Sequence, residues 1–140
     1  MGSYIANALY NKFKQSLLLD KTIDLDADVI KATLIDSGAY TFSAAHTSYA
    51  TDVAAGAKIA VSPQLTSPTG VDGVFDTADF TWTAVTGVQS EAIILWDDTT
   101  TSPIADQLIG FYDASMTGMP VTPNSGNINV TVNAAGWFNL

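Results

Sequence analysis

The sequence predicts a mainly β fold: an antiparallel β-sandwich or flattened barrel of about seven to eight strands, with an N-terminal helix in front. Three observations carry that prediction. Residues 91–97 (EAIILWD) and 107–113 (QLIGFYD) are apolar runs of strand length on either side of a polar loop. Two further stretches alternate cleanly: Phe80, Trp82 and Ala84 with Thr81 and Thr83, and Ile128, Val130 and Val132 with Asn127, Asn129 and Thr131. Clusters of Gly, Pro, Asn, Asp and Ser separate the runs, and helical patterns do not alternate with them, which excludes a doubly wound α/β fold.

The central pair is the most informative. In the first run Ala92, Ile94 and Trp96 point to one face, Ile93 and Leu95 to the other. A strand apolar on both faces is covered on both sides, so it belongs at the middle of a sheet. A buried helix is the rival, but each run is too short for one and is bounded by Asp, Pro or Gly. The loop 98–103 makes the pair a long hairpin.

Before it, Ser3 is placed to cap a helix over residues 4–18, where Ile5, Leu9, Phe13 and Leu17 recur at spacing four. A helix of that length is marginal alone and needs a surface to lie on. Its own sheet and a neighbouring chain are both possible surfaces. Residues 20–28 read as a polar turn and 29–35 as a strand. The connection 39–55 reads as a loop with a helical turn near residues 46–53. A strand over 58–62 stops at Pro63, and turns follow at 67–70 and 71–73. Beyond the hairpin, two turns occupy residues 115–125, a third lies at 133–136, and a last strand runs over 137–140.

With 140 residues and no cysteine, the chain reads as a single domain, residues 1–140, stabilised by a core rather than by disulfides. Within it, residues 1–18 form the helical arm and 28–140 the sandwich. No apolar stretch approaches membrane-spanning length, and no export or lipid signal is recognisable. Five lysines and no arginine stand against thirteen Asp and one Glu, a formal net charge of -9. Every lysine precedes residue 59. A surface of this sign repels phosphate, so neither nucleic acid nor a membrane is an expected partner.

Catalytic groups are sparse. His46 is the one histidine, with Ser43 and Ser48 as mere sequence neighbours and no nucleophile-elbow glycines. Asp24, Asp26 and Asp28 have the opening spacing of a calcium loop, but Val29 and Ile35 stand where its Gly and Glu belong. Asp72, Asp76 and Asp79, and Asp97 with Asp98, read as further solvated turns. With one Glu and scattered Asp, no glycosidase pair emerges. Trp82, Trp96 and Trp137 offer the material of a sugar-stacking platform, although Trp82 and Trp96 fall at inward strand positions. No catalytic residue, cofactor or metal is expected.

Several segments resemble a group of small tailed-phage virion proteins: residues 7–14 (NALYNKFK), 23–26 (IDLD), 30–36 (IKATLID), 73–85 (GVFDTADFTWTAV) with 90–92 (SEA), and 120–124 (PVTPN). The resemblance covers most of the chain, and its members with an assigned role tend to be capsid decoration, or cement, proteins. It implies a structural virion protein on the phage head surface, made in the host cytoplasm. Such a protein acts through contacts with the major capsid protein or another virion protein, commonly as a homotrimer. The expected contact surface is the N-terminal helix: Ile5, Leu9, Phe13 and Leu17, flanked by Lys12 and Lys14. A tail-associated or receptor/glycan-binding module is the alternative. A small hydrolase would require His46 in a cleft beside a nucleophile.

Overall fold

The computed structural model describes residues 8–99, 104–113 and 119–140, and all structural statements concern these. Nine strands are present: β1 (Ala8–Leu9), β2 (Ile30–Ile35), β3 (Lys58–Val61), β4 (Val74–Phe75), β5 (Phe80–Trp82), β6 (Ala92–Asp97), β7 (Gln107–Tyr112), β8 (Ile128–Val130) and β9 (Phe138–Asn139). All pairings are antiparallel. Five strands form one sheet in the order β1-β7-β6-β2-β3, and two ribbons, β4-β9 and β5-β8, stand apart from it. The fold is mainly β and sandwich-like.

β6 is the middle strand of the large sheet, and every residue of β6 and β7 is buried. The two faces are those the alternation predicts. Ile93 and Leu95 join Ile30, Ala32, Leu34, Ile109 and Tyr112 on one side, packed against Phe75, Phe80, Trp82, Val130 and Trp137 of and beside the ribbons. Ala92, Ile94 and Trp96 join Ile35, Leu108 and Phe111 on the other, under Tyr40, Tyr49, Val53 and Ala57. The segment from Tyr40 to Ala57 is therefore more than a connection: it is the cover of the second face. A bulge keeps the β7 pattern in step. Leu95 faces Gly110 while Trp96 faces Leu108, so Ile109 is the extra residue and Leu108 and Phe111, three apart, share a face.

The covering segment holds a short helix (Tyr49–Asp52) at the predicted helical turn. Ser48 caps it, its hydroxyl accepting from Thr51 N, while the Asp52 carboxylate accepts from the Thr47 and Ser48 N–H groups at 2.8 and 3.0 Å. That is the reciprocal logic of a capping box. Tyr49 then stacks on Trp96, ring centroids 4.0 Å apart and nearly parallel, and Thr33 of β2 bonds both the Tyr49 hydroxyl and Trp96 Nε1.

The N-terminal segment departs from expectation. Residues 1–7, with Ser3 and Ile5, lie outside the described residues. Over residues 8–18, the described part of the helix predicted for 4–18, the chain is instead an edge strand followed by two short helical pieces. Ala8 and Leu9 pair with Phe111 and Gly110 of β7, a five-residue α-helix occupies Asn11–Gln15, and a π-helical turn follows over Ser16–Asp20. Strand pairing with an open edge of the central sheet outweighs the local helical spacing. β4, only two residues long, is the other strand absent from the sequence reading. β5 stops at Trp82, two residues short of Ala84, which has φ 49°.

Candidate interaction surface

The N-terminal segment is where the molecule presents apolar groups together with positive charge. Phe13 is fully buried, edge-on to Phe138 at 5.5 Å, and Leu9 and Leu17 pack half-buried against the same cluster. Ser16, also fully buried, accepts from Gln107 Nε2 at 2.7 Å and Thr22 Oγ1 at 2.8 Å. The described part of the predicted contact stripe thus lies on its own chain's core.

What the stripe does not use is left outside. Lys21 N donates to Ser16 O at 2.7 Å, the i to i+5 bond of a π turn, and Lys21 itself turns left-handed at φ 54°. Leu17 continues the buried row, while Leu18 and Leu19 are 77% and 76% exposed, the most exposed large hydrophobic residues among those described. Lys12 is tied to Asp20 at 2.6 Å, with Gln15 on the same carboxylate. Lys14 and Lys21 are exposed and carry no ion pair among the described residues. The sequence reading missed Leu18 and Leu19. Its signal was the run of three leucines, of which a spacing of four accounts for one.

The remaining cations are engaged. Lys31 pairs with Asp98 at 2.8 Å, and Lys58 Nζ lies 4.1 Å from the centre of the Tyr49 ring. Burial pulls the Lys58 pKa down, and burial followed by the Asp98 charge pushes the Asp106 carboxyl up.

The other sequence candidates are absorbed by the fold. Tyr10 Oη and Tyr40 Oη are 2.9 Å apart, and Tyr40 Oη is 2.9 Å from His46 Nδ1, so that ring nitrogen is occupied by a phenol. The Ser48 hydroxyl donates to Ala105 O and the Ser43 hydroxyl accepts from Ala45 N. Asp24 Oδ1 accepts from Asp26 N and Ala27 N, and Asp28 Oδ2 accepts from Asp24 N, which closes the acidic run into a self-capped turn. Trp82, Trp96 and Trp137 are 0%, 5% and 5% exposed, and their indole N–H groups bond Ala32 O, Thr33 Oγ1 and Thr77 Oγ1. They are core, not a stacking platform.

Beside the self-capped turn lies a cleft of about 290 Å³. Its lining is more polar than apolar: Asp26, Asp28, Gln64 and Thr66 contribute to it, and Ile30, Leu65 and Phe75 beneath are already almost fully covered by their own chain. Among the described residues no helix is long and apolar enough to cross a membrane. No family model matches the chain, and no curated protein matches it.

Proposed function

We propose that this chain is a structural virion protein, a capsid decoration (cement) protein that stabilises a phage head through contacts with the major capsid protein or another virion protein. In this reading it is a homotrimer on the head surface, reached after synthesis in the host cytoplasm, and it carries out no reaction. The observation that supports it best is the exposed Leu18–Leu19 pair, on a turn whose root, Phe13 and Ser16, is fully buried. Apolar groups flanked by Lys14 and Lys21, on a chain of net charge -9, suit a protein partner better than a small molecule. A body covered on both faces of its central sheet gives that pair a firm base.

Quantitative mass spectrometry of purified particles tests the reading. Many copies per particle, lost when Leu18 and Leu19 are both changed to Ser, is the expected result. A few copies per particle would place the chain in the tail and sink the decoration role.

A further inference from the structure

We propose that the Tyr10–Tyr40–His46 chain is a pH-sensitive latch between the N-terminal segment and the cover of the sheet's second face, closed while His46 is neutral and weakened when its imidazole takes up a proton. The two ends of the latch belong to different parts of the molecule. Tyr10 follows β1, where its N–H donates to Ile109 O at 3.1 Å, while Tyr40 and His46 belong to the covering segment. Tyr10 is 0% exposed and Tyr40 5%. The two phenol oxygens are 2.9 Å apart, and Tyr40 Oη is again 2.9 Å from His46 Nδ1. Among the described residues neither phenol oxygen has another hydrogen-bond partner, and His46 Nε2 has none. The half-buried imidazole is the outer end of the chain, and Tyr10 is the inner one.

The latch responds to pH through its supply of hydrogens. It has two contacts, and each holds one hydrogen. With His46 neutral and its own hydrogen on Nε2, Tyr10 donates to Tyr40 and Tyr40 donates to Nδ1, so both contacts are filled. Protonation of Nδ1 brings a third hydrogen to the same two contacts. Nδ1 then donates to Tyr40, and one phenol hydrogen is left in the core without an acceptor, which is costly for a buried donor. No neighbouring titratable group takes it up. Asp52 lies close enough to His46 for their charges to interact, but its carboxylate is committed to the Thr47 and Ser48 N–H groups and bonds neither phenol. Tyr112 of β7 influences Tyr10 without a hydrogen bond to it. Asp106, just before β7, meets the cover through its backbone carbonyl, which accepts from Tyr49 N. The stranded hydrogen therefore weakens the join between β1's end of the chain and the cover.

His46 is the one histidine of the chain, so imidazole nitrogen signals in an NMR spectrum belong to it alone. At about pH 8, above the range in which an imidazole ordinarily takes up its proton, Nδ1 should be unprotonated and hydrogen-bonded. Tyr40→Phe should shift the Nδ1 signal by removing its donor. Hydrogen exchange of the full chain reads the latch itself. At about pH 5 the backbone amides of residues 40–57 should open roughly tenfold more often in the wild type than in His46→Asn, the effect of one lost hydrogen bond. The Asn side chain keeps an acceptor oxygen for Tyr40 and takes up no proton. At pH 8 the two chains should agree, and the β5–β8 ribbon should show no difference at either pH. Comparison at one pH also cancels the titration of Asp52 and Asp106, which both chains share. An Nδ1 already protonated at pH 8, an Nδ1 signal indifferent to Tyr40→Phe, or a cover that opens equally in both chains at pH 5 overturns the proposal. Should His46→Asn fail to fold, the nitrogen signals and the exchange of the wild-type cover relative to its own β5–β8 ribbon at the two pH values decide the matter in the same way.

Discussion

Gly136 shows how little slack the ribbons have. Its φ is +81°, and a Cβ there would sit 2.5 Å from Phe75 O and 2.6 Å from Val74 Cγ1. The approach is that close because Trp137 N donates to Phe75 O at 2.7 Å, which seats Trp137 in the core. Gly136→Ala should therefore destabilise the fold by about 1–3 kcal/mol, through left-handed strain and overpacking together. Denaturant melts would read this as a lower midpoint. Asp52 makes a pH-dependent contribution of its own. The N–H groups of Ser48 and Thr47 hold its carboxyl below the usual 3.8, opposed by burial, with a lesser lowering contribution from the nearby His46. A depressed folded pKa means that its stabilisation is present above 3.8 and is lost as pH falls through the lower, folded value. Asp52→Asn should flatten that part of the acid side of a Tm-against-pH curve, and an unchanged acid limb would refute this role.

At the scale of elements, the N-terminal segment separates two functions that a simple helical stripe would have merged. Phe13→Ala removes a fully buried ring and should cost about 3–5 kcal/mol. Leu18→Ser with Leu19→Ser should change stability by no more than about 0.5 kcal/mol per site, as exposed positions do. Equal losses from both would mean that the leucine pair belongs to the fold. The sequence made the central hairpin legible because apolar residues on both faces of residues 92–97 admit only one kind of site. It could not resolve the N-terminal segment. Leu9 fits a row at spacing four as well as it fits a strand, and the choice was made by an open β7 edge, a long-range feature. Val74–Phe75 is too short to show any period. The 39–57 connection hid its role differently: Tyr40 and Tyr49 are plain in the sequence, but only the tertiary fold shows that they cover the second face of the sheet.

For the molecule as a whole, the tyrosines set an alkaline limit. Of the five in the chain, Tyr10, Tyr40, Tyr49 and Tyr112 all have pKa values raised above the ordinary 10, with burial as the largest cause in each. A raised folded pKa gives stability that is fully present below 10 and is lost as pH rises toward the folded values. The phenolate absorbance of these four should thus appear together with unfolding, in one step above pH 10. Separate, gradual ionisation of a folded chain would contradict their burial.

The pairing of Ala8 with Phe111 has a consequence in time. Ala8 must find a partner about a hundred residues along the chain, and Phe80 one about fifty residues along, at Val130. Loops of that length are slow to close, so this topology belongs with the millisecond-to-second folders rather than the microsecond ones. A β6–β7 hairpin formed before its covers are in place would expose Ile, Leu, Trp and Phe, the kind of surface through which nascent copies stick to one another. From residue 59 onward the chain carries eight acids and no base. Like charge of that kind repels other copies whether or not they are folded, so the charge that looks like simple solubility in the finished molecule would also oppose sticking while the slow contacts form.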